Sequence, residues 1–346
     1  MKRNIFAVCD PEAEYAENFA DYINKKNRIP FEVHAFTSAQ SLLDYAGDHE
    51  IELLLVNAKA LTREVRLLDV GKLVVLSEGE ELPSACDSVY KYQAISKILQ
   101  ETMAVYGEPG SSHAALPVLR KNVSVYGVYS PVGRSGKTTF ALALGQELAR
   151  TSPTLYLSLE GFSGFGSLMQ KEFRRGLGDL LYYARLKEEG LIHRINSMVQ
   201  TVEHLDFIPP VVMKDDIQQA EWGDIEAILN ELLSYSNYEN LVIDIGNDFA
   251  DPWRVMQWCK TVFVPVLEDT MSVCKMEQFE ACIQDPAYCG IRERMKKVRV
   301  PLPSAYLPAG NYAEQLLWSE AGDYVRKVLS EGDRKITLSQ PGKPVG

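Results

Sequence analysis

The segment Tyr129 to Thr139, YSPVGRSGKTT, constrains this chain more than any other. It follows an apolar run, Asn122 to Tyr129, and opens a stretch of helical periodicity from Lys137 to about Arg150. A loop that binds a polyphosphate needs inward-pointing backbone N–H groups, small residues that let the backbone approach, and the positive end of a helix dipole behind it. Strand, loop and helix come here in that order. Gly133 and Gly136 permit close approach, Lys137 has the reach for β and γ phosphates, and Thr138 can place its hydroxyl on Mg²⁺. The strict G-x-x-x-x-G-K-[ST] pattern fails at Pro131, where its first glycine should stand. The strand-to-helix context favours a phosphate loop over a turn that happens to contain GKTT, so the expectation is a site for ATP with Mg²⁺.

A site of this kind needs an acidic residue at the end of a neighbouring strand to hold the metal's water shell, and LVIDIG offers Asp244. An Asp there can instead cap a turn. Glu160 follows the apolar run Thr154 to Leu159; a carboxylate in that place can orient an attacking water or simply be solvated.

The rest of the chain suits two α/β domains. Expected strands at 4–9, 31–36, 52–57, 72–77 and 88–90 alternate with helices at 11–25, 38–46 and 94–105, the pattern of a parallel doubly wound sheet. Residues 107–121, GEPGSSHAALPVLRK, have linker composition. Beyond them come expected strands at 122–129, 154–159, 204–208, 241–244, 261–266 and 298–300, with helices clearest at 223–235 and 312–330. The boundaries expected are 1–106, a linker 107–121, a second domain 122–332 and a polar tail 333–346. The apolar positions Leu316, Leu317, Tyr324, Val325, Val328 and Leu329 suit a core-facing helix, and Trp253 and Trp258 suit packing rather than ligand contact.

Composition removes several function classes. A net charge of −11 argues against whole-surface affinity for nucleic acid or anionic lipid. The densest basic cluster, Arg292, Arg294, Lys296, Lys297 and Arg299, is expected to be a solvated helix end. Six cysteines without a CxxC pair suit reduced thiols, with Cys9 as core filler. The apolar run before Asp10 is too short for a secretory signal, and no stretch approaches the ~18 residues that span a bilayer. A cytoplasmic protein is expected.

Residues 121 to 330 resemble the ParA/MinD group of deviant phosphate-loop ATPases. The group's K-G-G-x-G-K-T-T motif falls on Val132, Gly133, Arg134, Ser135, Gly136, Lys137, Thr138 and Thr139. Its two switch I aspartates fall on Ser158 and Glu160, and its Walker B Asp on Asp244. HLDFIPP (204–210) looks like its central strand and Pro loop, and Val300-Pro301 like the segment that contacts the base. The resemblance implies nucleotide contacts from Gly133 through Thr139 and Pro301, a catalytic set of Lys137, Glu160 and Asp244, and Mg²⁺ at Thr138 and, through water, Asp244. The chain departs from the group where its signature Lys is Val132, its next-but-one Gly is Arg134, and its aspartates are Ser158 and Glu160. These departures imply a weak Mg²⁺-dependent ATPase or binding without efficient turnover.

The N-terminal segment resembles a response-regulator receiver. The positions of the two acids, the phosphoacceptor Asp, the Ser or Thr and the Lys hold Cys9 with Asp10, Asn57, Ser77 and Lys91. An amide at 57 is a poor nucleophile, so aspartyl phosphorylation is not expected and the segment suits an interaction surface. A pseudo-receiver joined to a ParA/MinD-like ATPase resembles the TadZ/CpaE proteins of Tad (Flp) pilus assembly. That resemblance implies a homodimer, protein partners in a pilus or secretion machine, and recruitment to membrane or pole through them. The alternatives are a nucleotide-binding scaffold and a partition or division-site ATPase. The acidic charge and a C-terminal stretch without a basic amphipathic face argue against the latter.

Overall fold

In a computed structural model the described residues are 4–26, 29, 31–80, 87–106, 123–187, 190–288, 290–301 and 310–337. The expected linker 107–121 and the end of the expected tail, 338–346, lie outside them, as do Cys86 and Cys289.

The chain opens with β1 (Asn4–Cys9), α1 (Ala13–Lys26), β2 (Phe31–Phe36), α2 (Ala39–Asp48), β3 (Ile51–Asn57), α3 (Arg63–Arg66), β4 (Val70–Ser77), β5 (Ser88–Tyr90) and α4 (Ile95–Tyr106). The five strands form one parallel sheet in the order β2-β1-β3-β4-β5. This is the flavodoxin-like doubly wound order. The inner strands β1 and β3 are apolar nearly throughout, because helices cover both faces of the sheet. Phe6, Val8, Leu53 and Leu55 enter the core on one face; Ala7, Cys9, Leu54 and Val56 enter it on the other. Ser38 caps α2 by accepting from the Ser41 N–H, as its position before a helical run predicts.

The chain continues with β6 (Ser124–Val128), α5 (Lys137–Ala149), β7 (Thr154–Ser158), α6 (Phe165–Met169), α7 (Leu177–Arg185), α8 (Leu191–Met198), β8 (Gln200–Val202), β9 (Leu205–Phe207), α9 (Lys214–Gln218) and α10 (Trp222–Tyr235). It ends with β10 (Asn240–Asp244), α11 (Pro252–Trp258), β11 (Thr261–Pro265), α12 (Thr270–Cys282), α13 (Ile291–Arg294), β12 (Met295–Val298), α14 (Tyr312–Leu316) and α15 (Glu320–Thr337). The second sheet has the order β12-β11-β6-β10-β7-β9-β8, parallel except for the β8–β9 hairpin at its edge. Its core joins Phe140, Leu144, Tyr156, Phe207, Val242 and Phe263 to Leu316 and Val325. The stripe on 316–329 is therefore core-facing, with Tyr324, Val328 and Leu329 packed against that core. Trp253 likewise packs, stacked on Phe279 and Tyr288 at 5.6 and 4.6 Å.

Two compact units share the chain unevenly. One gathers Met1–Lys121, Asp179–Val199 and Gly223–Tyr238; the other takes Asn122–Gly178, Gln200–Trp222 and Glu239–Gly346. The first unit thus draws α8, and nearly all of α7 and α10, from sequence on the far side of the expected linker. Within it, Gln100 donates to the Ser197 carbonyl at 2.9 Å, the Tyr106 ring meets His193 edge-on at 4.7 Å, and Asn237 donates to the Ile29 carbonyl at 2.6 Å. Helix α8 is buried on nearly every side, from Leu191 through Ile195 and again at Ser197 and Met198, so it needs cover beyond a single sheet face.

Two expected elements are corrected. The strand expected at 298–300 is β12, three residues earlier, and among the described residues it pairs only with β11. An edge strand tolerates exposed Lys296 and Lys297, and this breaks the apolar run that strand recognition relies on. The basic cluster around it is accordingly not one helix end: Arg294 donates to the Cys259 carbonyl at 3.3 Å, Lys297 pairs with Glu280, and Arg299 pairs with Glu268 at 2.6 Å. The helix expected at 312–330 is two helices. Ser319 turns back on the Leu316 carbonyl at 2.7 Å, and α15 then runs on into the expected tail. Among the described residues, no helix is long and apolar enough to cross a membrane.

Candidate nucleotide site

Sheet register assembles the site in the second unit. Asp244, the last residue of β10, lies beside Val128 of β6 and Ser158 of β7. The loop from Tyr129 and the turn at Glu160 therefore leave adjacent strands at the same carboxyl edge, the usual ligand edge of an open α/β sheet. Ser130 ties the loop's start to the neighbouring strand by donating to the Pro265 carbonyl at 2.7 Å, and the Val132 N–H donates to the same hydroxyl at 3.1 Å. Gly136 sits at φ +82° as the N-cap of α5, a conformation glycine takes without steric cost. It supplies no side-chain acceptor, so the first-turn N–H groups of α5 have no side-chain cap.

Lys137 is nearly buried and held between two carboxylates, Glu160 and Asp244, the latter at 2.9 Å. Burial alone would depress its ammonium; the charges of Asp244 and Glu160 outweigh that and hold its pKa above the ordinary lysine value. Asp244 is fully buried and also accepts from Thr138 at 2.8 Å and from the Tyr156 hydroxyl at 3.1 Å. Burial first, and then the Asp244 charge, keeps the Tyr156 phenol well above its usual range, so it remains a donor. Ser135 is 1% exposed, and its hydroxyl has no partner among the described residues. Gly246, two residues past Asp244, is compulsory: a Cβ there would stand 2.2 Å from the Leu159 carbonyl oxygen, against the segment that carries Glu160.

The residues singled out in sequence come together unevenly. Lys137, Thr138, Glu160 and Asp244 form one hydrogen-bonded cluster. Gly133 and Arg134 are exposed on the loop, while Val132 is 5% exposed and belongs to the interior. The Thr139 hydroxyl shares a hydrogen bond of 2.9 Å with Tyr312 of α14. Pro301 lies beyond edge strand β12, and no hydrogen bond joins it to the loop among the described residues. Sequence reasoning missed Tyr156 and Ser130. Tyr156 sits mid-strand in an apolar run, and only the β7–β10 register shows that its hydroxyl reaches Asp244.

A bound Mg²⁺-nucleotide fits this set. The loop supplies uncapped N–H groups, an orphan buried hydroxyl at Ser135 and a lysine whose present partners a phosphate can replace. No group of three or more His, Cys, Asp or Glu that could hold a metal occurs among the described residues. Mg²⁺ would accordingly draw on phosphate oxygens and water, with Thr138 and Asp244 as the protein's contribution.

The first unit carries a second charged cluster, also at strand carboxyl ends. Buried Lys91 pairs with Asp10 at 2.9 Å, Glu12 at 3.0 Å and Glu78 at 3.3 Å, while the Asn57 amide donates to Asp10 and Glu78, both at 3.0 Å. Burial would lower the Lys91 ammonium, but its hydrogen bonds to Asp10 and Glu12 raise it above the usual range. Lys59 first, and then Asn57, hold the Glu78 carboxyl down to about 2. Cys9 is buried, and burial pushes its thiol up to about 11, as a core residue rather than a nucleophile. Ser77 accepts from the Gly79 N–H at 3.1 Å. Glu78, just past the end of β4, was not legible as a member of this group.

No protein-family model and no curated protein matches the chain. Solved structures give loose likenesses. A ParA family ATPase from Chlorobium tepidum TLS is 17% identical, covering 60% of this chain and 93% of its own, with a TM-score of 0.44. A plasmid partition protein from Borrelia burgdorferi B31, bound to AMPPNP, is 13% identical over 61% and 100%, with a TM-score of 0.43. Cobyrinic acid a,c-diamide synthase from Mycobacterium smegmatis, with ADP and magnesium, is 12% identical over 63% and 97%, with a TM-score of 0.46.

Proposed function

We propose that the second unit binds ATP with Mg²⁺ through residues 130–139 and acts as a weakly hydrolysing switch of the ParA/MinD type. The observation that carries this reading is the cluster of Lys137, Thr138, Glu160 and Asp244 behind an uncapped helix start. A phosphate arriving at the loop competes for Lys137, and Glu160 is the group this frees. Buried Gly161 and exposed Phe162 follow Glu160 directly, so nucleotide state is passed to a surface aromatic side chain. When bound, Mg²⁺ supplies charge neutralisation on the phosphates, and the protein's part is to position and shield them.

In the same reading the first unit is a pseudo-receiver that serves as an interaction surface. Asn57 donates where a phosphoacceptor would attack, and Lys91 is already neutralised by three carboxylates. The architecture then suits a TadZ/CpaE-like factor, a homodimer that assembles or positions a Tad/Flp-type pilus or secretion machine at membrane or pole through protein partners. Binding without turnover is the second reading, favoured by Val132 being interior and by Ser158 standing where the ParA/MinD resemblance expects an acid.

Light scattering on the eluting protein, with and without Mg²⁺-ATP, together with phosphate release, tests the switch. A nucleotide-dependent change of mass, absent in Lys137→Ala, is the expected result. An unchanged mass, with no phosphate released, would leave a nucleotide-binding scaffold.

A further inference from the structure

We infer that Arg134 is the residue by which this loop distinguishes a nucleoside triphosphate from a diphosphate. The inference rests on the nucleotide reading above. Within residues 130–139 the only cations are Arg134 and Lys137. Lys137 is already committed, since two carboxylates against one ammonium leave one negative charge uncompensated at the cluster. A magnesium–ATP complex brings about one more negative charge than magnesium–ADP. The helix N-terminus offsets only about half a charge.

Arg134 is the unspent cation. It is exposed, and it has no ion-pair or hydrogen-bond partner among the described residues. Its backbone stands at φ +59°, a left-handed conformation that is strained for a non-glycine residue. The adjacent Ser135 hydroxyl, buried and without a partner among the described residues, is a second, independent polar group at this turn that a phosphate would satisfy. A guanidinium offers planar paired donors that match a terminal phosphate, whereas an ammonium there acts as a point charge.

The test is the affinity of full-length protein for fluorescent ATP and ADP analogues with Mg²⁺, in wild type, Arg134→Gly, Arg134→Lys and Lys137→Ala. Glycine accepts the left-handed turn that this position already holds, so Arg134→Gly removes the charge without forcing the turn apart, while Arg134→Lys keeps a charge on the same strained backbone. Arg134→Gly should weaken the ATP analogue about tenfold and the ADP analogue less than about twofold, with Arg134→Lys in between. Equal losses for both nucleotides, or none, would overturn the role of Arg134. Failure of the wild type to bind either would instead overturn the nucleotide reading beneath it, and loss of both in Lys137→Ala alone would leave that reading standing.

Discussion

Replacing Lys137 by Met should destabilise the nucleotide-free protein, because the ammonium is the counter-charge of a fully buried carboxylate. At 2.9 Å from Asp244, and with an effective dielectric near 20, the attraction is about 6 kcal/mol. Desolvating the ammonium offsets part of that. Removing one partner of a buried pair costs about 3 to 5 kcal/mol, and the low end applies here because Asp244 keeps its donors Thr138 and Tyr156. A loss of about 3 kcal/mol lowers the melting temperature of a unit of this size by about 9 °C. Thermal unfolding without nucleotide is the assay, with Asp244→Asn and the double variant completing a cycle; the double variant should cost clearly less than the two single changes added. Because the folded pKa of Lys137 is raised, its contribution is complete below the ordinary value of 10.5 and fades as pH climbs through the higher folded value. The difference between wild type and Lys137→Met should therefore be flat from pH 7 to 9. A shift under about 2 °C at pH 7 would refute the claim that this ion pair is structural.

Other perturbations probe the frame around the site. Gly246→Ala should displace the Leu159–Glu160 backbone and cost about 3 kcal/mol by chemical denaturation, since the clash is with backbone atoms that cannot rotate away; near-wild-type stability would contradict that close approach. In the first unit, Glu78 has its pKa lowered to about 2, so its contribution is present above the ordinary carboxylate value and lost as pH falls towards 2. Glu78→Gln should flatten the acid limb of the stability profile over that window, and an unchanged limb would sink the assignment. Deleting residues 1–121 removes α4 from the face of α8, so the remaining chain should bind a hydrophobic dye strongly and lose soluble yield. A monodisperse fragment that melts like the full chain would show that α7, α8 and α10 do not depend on residues 1–121.

The parts legible in the sequence are those set by neighbours along the chain. The glycine-bearing loop after β6, the Asp ending β10 and the alternation of β1, β2 and β3 with α1 and α2 all express short-range rules of turn chemistry and periodicity. What was not legible depends on partners far away in sequence. The hydroxyl of Tyr156 finds Asp244 only through strand pairing. Glu78 joins Lys91 and Asn57 only because β3, β4 and β5 end side by side. Edge strand β12 hid its register behind two exposed lysines, and the break before α15 turns on the Ser319 hydroxyl and on Gly322, where a Cβ would lie 2.2 Å from the Leu317 carbonyl oxygen. The capture of α8 by the first unit follows from its nearly all-round burial, which a linear division at the linker composition overlooks.

The central claim is that residues 130–139 bind a magnesium nucleotide by taking Lys137 from its carboxylates. Calorimetric titration of ATP with Mg²⁺ into full-length wild type and Lys137→Ala tests it most directly. Saturable one-site binding by the wild type, lost in the variant, is what the account predicts; a wild type that binds no nucleotide, with its fold intact, would contradict it.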